Sequence, residues 1–242
     1  RTLLAWRRTL RTLIVVCTIF LRWIPHYGLI ALLPIIVSLI ASLPNVLVVN
    51  PDKIKANTVE ELVAFLKTEP GKHTYASSGV GTSIHLAGEL LATKSGIKIT
   101  HVPYKGSSQA ILDVVAGHVD MMFDNIPTAA QQVKAGKVKA LAVTSLEKAN
   151  LLADVPTMAS VIPGFEATSW HGLFAPPGTP PEIVEKLSKE VQAIVADPAM
   201  KAKLEAMGVT PVGNTSAEFQ AFIDKETAKW AEVIKAANVP LQ

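Results

Sequence analysis

Residues 75–91, YASSGVGTSIHLAGELL, join a short β-type run to a helical apolar pattern through a turn that contains two glycines and several small hydroxyl residues. We interpret this stretch as a strand, a glycine turn and a helix over about residues 83–94, which Gly96 ends. Backbone N–H groups at a helix start attract anions. The turn is therefore either a plain helix cap or the seat of a small anion, held by main-chain amides and by the Thr82 and Ser83 hydroxyls.

The same turn argues against two better-known sites. Residues 79–83, GVGTS, lack the Lys-Ser/Thr ending of a phosphate-binding P-loop, and Ile84 stands where a dinucleotide fingerprint has its third glycine. The nucleophile elbow of a serine hydrolase requires Gly-x-Ser-x-Gly, a pattern that occurs nowhere in the chain. The motifs therefore indicate neither nucleotide binding nor a serine elbow.

From Asn45 onward, β-type runs alternate with helical ones. The predicted strands cover residues 45–50, 73–78, 99–104, 119–125 and 138–145, with a further one near 170–175. The predicted helices cover residues 58–69, 83–94, 109–117, 126–136, 180–197, 198–208 and 216–239. Thr58 is the predicted N-cap of the first helix, with Glu61 as its capping-box partner. The alternation predicts an α/β fold with a parallel sheet, helices on both faces and a ligand site at the carboxyl ends of the strands.

A second turn of the same kind follows the next predicted strand, in residues 102–110, VPYKGSSQA. Two helix N-termini that follow neighbouring parallel strands point their partial positive charges towards one cleft. Lys105 either adds a positive charge there or is an ordinary solvated loop lysine. Asp124 lies near the end of the following strand, where it either accepts a hydrogen bond from a ligand amine or hydroxyl or caps the helix that begins near Pro127.

Composition excludes several other classes of function. The chain has 242 residues, and residues 52–242 carry 18 basic and 20 acidic side chains, so no nucleic-acid partner is indicated. Cys17 is the only cysteine, which excludes an internal disulfide and a cysteine-based zinc cluster. The histidines lack the spacing of a metal site. We therefore predict no metal site and no cofactor.

Residues 1–42 differ from the rest, because they are rich in Leu, Ile and Arg and contain no acidic residue. Two apolar runs, residues 13–21 and 29–43, suggest a membrane anchor. Arg22 and Pro25 lie between them, and neither run alone reaches the roughly 18 apolar residues that a spanning helix needs. A signal-peptide remnant and an out-of-frame translation before about residue 36 are the alternatives.

Five longer stretches share one resemblance: YASSGVGTSIHLAGELL, HVPYKGSSQAILDVVAGHVDMMFDN, KAGKVKALAVTS, DVPTMASVIPGFEATSWHGLFAPPGTPPEIV and FIDKETAKWAEVIKAANV. In continuous order over about residues 43–242, they resemble the substrate-binding proteins of tripartite tricarboxylate transporters, the Bug family. The resemblance implies a type II periplasmic-binding-protein fold, with two α/β lobes around a cleft, in a periplasmic and monomeric receptor. It also implies small-carboxylate ligands, held largely by main-chain amides and ordered water.

Carried over by position, the resemblance assigns ligand contacts to three segments at strand ends. They are Ser77, Ser78, Gly79, Gly81, Thr82 and Ser83 in the first turn, Tyr104, Lys105, Gly106 and Ser107 in the second, and Phe123, Asp124 and Asn125 after the third strand. The family begins with a strand and a Pro-Phe-x-x-Gly-Gly-type loop that is not found here. We therefore expect an incomplete first lobe, and weak or no ligand binding without that loop.

The expected divisions of the chain follow from the same resemblance. They are an anomalous apolar and basic segment over residues 1–42, a ligand-binding α/β lobe over residues 43–143, and the remainder of the other lobe, with the C-terminal helices, over residues 144–242.

These features predict a receptor that closes on a small carboxylate and delivers it to the permease subunits of a membrane transporter, without catalysing a reaction. A first alternative is a membrane-anchored interaction module with residues 13–43 as its anchor, or a receptor remnant without binding activity. A second alternative is a serine-dependent hydrolase, with Ser78 or Ser83 as nucleophile and His85 or His101 as base.

Overall fold

The centre of the fold is one long strand, β1 (Ile35–Val49), in the computed structural model of the chain, which describes residues 35–239. The strand is 15 residues long, and most of its residues are buried. Its second part confirms the strand predicted over residues 45–50. Its first part, residues 35–44, extends the strand into the segment that the sequence predicted as anomalous.

Six further strands complete the sheet within residues 35–239, and four of them pair with β1. The six strands are β2 (Thr74–Ser77), β3 (Thr100–Pro103), β4 (Met121–Asn125), β5 (Lys139–Val143), β6 (Thr168–Ala175) and β7 (Thr210–Pro211). The strand order is β3-β2-β4-β1-β5, and β6 and β7 pair with the first part of β1. One strand thus belongs to both parts of the sheet.

The directions of the strands differ from the prediction in one respect. β2 is parallel to both β3 and β4, as predicted, but β1 is antiparallel to β4 and β5. The prediction of a parallel sheet is therefore wrong for β1. Residues 46–49 are completely buried, and a continuous apolar run of this kind carries no signal for the direction of its strand.

Seven helices follow the predicted positions within residues 35–239. They are α1 (Val59–Thr68), α2 (Ser83–Ser95), α3 (Ser107–Val115), α4 (Ile126–Lys134), α5 (Pro181–Ala196), α6 (Pro198–Ala206) and α7 (Ser216–Ala237). Two short 3₁₀ turns, Asn150–Leu152 and Met158–Ser160, lie in the proline-rich connection before β6. Helix α7 packs against α2, and α5 packs against β1.

Local capping explains where the first helices begin. The Thr58 side chain accepts a hydrogen bond from the Glu61 amide at 3.2 Å, which confirms the predicted N-cap of α1. The Glu61 carboxylate accepts from the Asn57 amide at 2.6 Å, one residue before the position that a capping box requires. Thr82 caps α2, and Gly96 ends it with a left-handed backbone at φ 64°.

The predicted membrane anchor overlaps the described residues only in part. Residues 35–43, in the second apolar run, form the first part of β1, so a spanning helix over residues 29–43 is wrong for that part. Within residues 35–239, no helix has the length and apolar character to cross a membrane. The predictions about residues 13–21 and Cys17, and about a signal remnant or a shifted frame, lie outside the described residues.

Gly88 lets α2 approach the sheet closely. A Cβ atom at this position would lie 2.2 Å from Cε2 of Tyr75 on β2, where the Tyr75 ring is buried. The ring therefore lies directly under the helix that carries the first candidate turn. This contact fixes the distance between α2 and β2.

We expect the substitution Gly88→Ala to lower the free energy of unfolding by about 2 kcal/mol, because overpacking against Tyr75 outweighs the better helix propensity of alanine. Urea unfolding of the full chain measures this difference. Thr93→Ala, at an exposed position of the same helix, is the control and is expected to be neutral or slightly stabilising. Equal stability of Gly88→Ala and the original chain would contradict the packing argument.

Candidate functional site

The candidate site lies where three parallel strands end. Strands β2, β3 and β4 end at Ser77, Pro103 and Asn125, and their parallel pairing brings these ends to one edge of the sheet. The Tyr104 amide donates to the Ser77 carbonyl at 2.9 Å. The two turns that the sequence singled out, residues 78–82 and 104–106, are therefore neighbours.

Both glycine amides and the threonine hydroxyl of the first turn are already paired with the turn or with residues that flank it. The Gly79 amide donates to Ser77 Oγ at 3.1 Å, and the Gly81 amide donates to His85 Nδ1 at 3.0 Å. Thr82 Oγ1 donates to the Gly79 carbonyl at 2.8 Å and accepts from the His85 amide at 3.4 Å. Gly79 and Gly81 have φ values of 139° and 78°, which side-chain-bearing residues rarely adopt.

Within residues 35–239, the amides of Ser83 and Ile84 have no hydrogen-bond partner, and the same is true of the Ser78 and Val80 amides in the turn itself. Neither the Ser83 nor the Ile84 amide donates a backbone hydrogen bond to another described residue, because both belong to the first turn of α2. That turn contains no acidic side chain. The start of α2 therefore retains the partial positive charge of a helix N-terminus.

The second turn contains a lysine without an ion-pair partner among the described residues and a serine whose hydroxyl is already hydrogen-bonded. Lys105 is exposed, and no salt bridge joins it to any residue between 35 and 239. Ser107 Oγ donates to Asp124 Oδ1, so while Asp124 is ionised this hydroxyl has no proton left for a ligand carboxylate. Tyr104 donates its phenol proton to Asp113 Oδ2 at 2.7 Å, and burial together with this bond raises the pKa of Tyr104 to about 12.

Asp124 is a fully buried carboxylate with one unsatisfied oxygen. Its Oδ1 accepts from Ser107 Oγ and from the Asn125 amide, whereas Oδ2 has no hydrogen-bond partner among the described residues. Burial raises the pKa of Asp124 to about 6. The N-cap of α4 is Asn125, so the alternative that Asp124 caps this helix is wrong. Its side chain contacts the start of α3 instead.

Asn125 belongs to a polar cluster that the sequence did not reveal. Ser169 Oγ, on β6, donates to Asn125 Oδ1 at 2.8 Å and lies 2.5 Å from Ser83 Oγ. Ser169 Oγ also lies 3.4 Å from Oδ1 of Asn45, on β1. Ser169 and Asn45 come from strands remote in sequence, and neither forms a local motif, so no signal in the sequence pointed to them.

A buried aromatic and acidic cluster lies behind the first turn. The rings of His85 and His101 stack with their centroids 3.8 Å apart, and His101 Nε2 lies 2.6 Å from Ser77 Oγ. Burial lowers the pKa of His101 to about 4. Glu89 accepts from the Tyr75 hydroxyl, and its Oε1 lies 3.5 Å from His85 Nε2. His85 is thus a satisfied buried histidine.

The geometry does not support the hydrolase alternative. No hydrogen bond in the described part of the chain joins Ser78 or Ser83 to either histidine, and the only such contact involves Ser77. Ser77 is buried and already bonded to the Gly79 amide. His101, with its lowered pKa, is moreover a weak base. Within residues 35–239, no three His, Cys, Asp or Glu side chains are grouped to hold a metal ion.

One protein family matches most of this chain. The family model described as tripartite tricarboxylate transporter family receptor matches residues 16–239. This match begins within residues 1–42, and it therefore reaches further towards the N-terminus than the resemblance seen over residues 43–242.

Individual related sequences also match most of this chain. A UPF0065 protein from the tcbD-tcbE intergenic region of Pseudomonas sp. (strain P51) is 42% identical over 200 residues, which cover 82% of this chain and 59% of that protein. Protein BugT of Bordetella pertussis is 34% identical over 220 residues, which cover 90% of this chain and 67% of BugT. The chain thus spans about three fifths to two thirds of the length of these relatives.

Solved structures share the fold. Rpa4515 of R. palustris, solved with adipate, superposes on this chain with a TM-score of 0.79 at 35% sequence identity. The superposition covers 86% of this chain and 70% of Rpa4515. The periplasmic binding protein BugD gives 0.75 at 35% identity, with 86% and 71% covered. MatC of Rhodopseudomonas palustris, with bound malate, gives 0.73 at 28% identity, with 83% and 69% covered. The predicted α/β fold of the periplasmic binding proteins is confirmed.

We expect Asp124→Asn to stabilise the chain at neutral pH by about 1 kcal/mol or more. Because the folded pKa of Asp124, about 6, exceeds its ordinary value of 3.8, the unfolded chain ionises first, and stability falls as the pH rises from about 4 to about 6. The stability of Asp124→Asn relative to the original chain therefore increases from about pH 4 to about pH 6 and stays constant at higher pH. Urea unfolding at several pH values measures it.

The exposed Asp154→Asn controls for the change in net charge and is expected to show no gain over the same window. An Asp124→Asn chain that loses stability relative to the original as the pH rises from about 4 to about 6 would show that the ionised carboxylate stabilises the turn.

Proposed function

Because the chain belongs to the tripartite tricarboxylate transporter receptor family, we propose that it is a periplasmic receptor that binds a small carboxylate and passes it to the permease subunits of a membrane transporter. The receptor acts as a monomer, and the ligand leaves it chemically unchanged. The sites described above serve recognition only.

The observation that carries this proposal is the open start of α2. The Ser83 and Ile84 amides lack backbone partners in the described part of the chain, and no acidic side chain lies in the first helical turn. An anion at this position accepts two hydrogen bonds and compensates the partial charge of the helix. The Ser83 hydroxyl, which already contacts Ser169, lies beside it.

A second positive group favours ligands with two carboxylates. Lys105 is exposed on the neighbouring turn, and the Tyr104–Ser77 hydrogen bond ties that turn to the first. One carboxylate at the start of α2 leaves Lys105 available for another. Adipate and malate, the ligands named for the R. palustris proteins, are both dicarboxylates, which supports this ligand class.

A titration of the ¹⁵N-labelled full chain with adipate tests the proposal by NMR. We expect the Ser83 and Ile84 amide resonances to shift, with a dissociation constant of about 1 mM, or about −4 kcal/mol. Binding of this strength is expected from two hydrogen bonds to a charged group, each worth about 1.5–3 kcal/mol. Hexane-1,6-diol, a neutral molecule with the same number of carbon atoms, is the control and is expected to cause no shift.

The Lys105→Ala variant measures the role of charge. We expect it to weaken adipate binding about two- to fivefold, with a smaller loss at high salt, because an exposed charge contributes up to about 1 kcal/mol. Lys137→Ala removes an exposed lysine near the opposite edge of the sheet, before β5, and is expected to leave the affinity unchanged. If the Ser83 and Ile84 amide resonances of the original chain do not shift when adipate is added, the chain is better described as a receptor remnant without binding activity.

A further inference from the structure

We propose that His85 is the positioning residue of the ligand-binding turn, because its unprotonated Nδ1 holds the Gly81 amide from inside the protein. This inference rests on the proposed function for its consequence in binding. The hydrogen bond itself is a property of the free chain and is testable without any ligand.

The hydrogen bond defines the tautomer of His85. The Gly81 amide can only donate, and its nitrogen lies 3.0 Å from His85 Nδ1, so Nδ1 carries no proton. The proton of the neutral ring is therefore on Nε2, which lies 3.5 Å from the Glu89 carboxylate. A carboxylate beside Nε2 is the partner that this tautomer requires.

The His85 ring has little freedom to turn away from Gly81. It is buried, and it stacks on His101 with the ring centroids 3.8 Å apart. His101 in turn contacts Ser77 Oγ, which accepts a hydrogen bond from the Gly79 amide. The stacked pair thus lies behind both glycine amides of the turn, one held directly by His85 and the other through Ser77.

The hydrogen bonds that hold the Gly79 and Gly81 amides determine which other amides of the turn face a ligand. Gly81 is exposed, so water would compete for its amide if His85 offered no acceptor. Its φ of 78° lies in the left-handed region, where a glycine reaches other conformations at little cost. With the Gly81 amide held inward, the chain enters α2 with the Ser83 and Ile84 amides left open. A turn that has lost this bond samples arrangements in which they no longer converge.

Two substitutions separate the acceptor from the bulk of the ring. Asn at position 85 places its amide oxygen near the position of Nδ1 and keeps an acceptor for Gly81. Gln at position 85 places its amide near Nε2, which retains a group for Glu89 but offers Gly81 no acceptor. Both variants lose the aromatic ring and its stacking on His101, so a purely structural role of the ring predicts the same defect in both.

The experiment uses the ¹⁵N-labelled full chain and two ligand-free measurements. We expect ring ¹⁵N shifts to show an unprotonated Nδ1 at His85 in the original chain. We expect Gly81 amide exchange to remain slow in His85→Asn and to accelerate about tenfold in His85→Gln, as the loss of one hydrogen bond predicts. A protonated Nδ1, or unchanged Gly81 exchange in His85→Gln, overturns the proposal.

Titration with adipate then tests the consequence for binding. We expect His85→Asn to bind within about threefold of the original chain and His85→Gln to bind about tenfold more weakly. Equal losses in both variants overturn the positioning role. If the original chain does not bind adipate, the proposed function fails, while the ring shifts and Gly81 exchange still decide the role of His85. If the variants do not fold, the tautomer of His85 in the original chain, measured by its ring ¹⁵N shifts, decides the role of His85.

Discussion

The pairing of β1 with strands on both sides determines how the rest of the structure is arranged. Its second part pairs with β4 and β5, and its first part pairs with β6 and β7. Asn45 lies where the two parts meet, and Thr144 Oγ1 accepts from the Asn45 amide at 2.8 Å. Because one continuous strand carries both sets of pairings, Asn125 at the end of β4 and Ser169 on β6 lie within hydrogen-bonding distance of each other.

The candidate site is shaped by hydrogen bonds that it has already made. Two glycine amides and the Thr82 hydroxyl are paired within the first turn, and the proton of Ser107 is paired with Asp124. A site of this kind is selective because the main-chain donors that remain at the start of α2 have fixed directions. The buried Asp124 balances part of the charge at the start of α3, which leaves the start of α2 as the stronger anion site.

The helices, the strand positions and the first turn were predictable because each depends on a local signal. Gly96 marks the end of α2 in the sequence, and the structure ends the helix there as predicted. The helix begins close to the predicted position, with Thr82 as its N-cap. The direction of β1 was not predictable, because it depends on partners 72 or more residues away. Ser169 and the His101–Ser77 contact were missed for the same reason: single polar residues within strands give no signal until pairing brings them together.

The central claim is that a carboxylate lies at the start of α2, and a crystal structure of the full chain grown with adipate tests it most directly. The account predicts one carboxylate of adipate with its oxygens about 2.7–3.2 Å from the Ser83 and Ile84 nitrogens and the other carboxylate on the side of Lys105. Adipate bound elsewhere, with the Ser83 and Ile84 amides bonded only to water, would contradict the account.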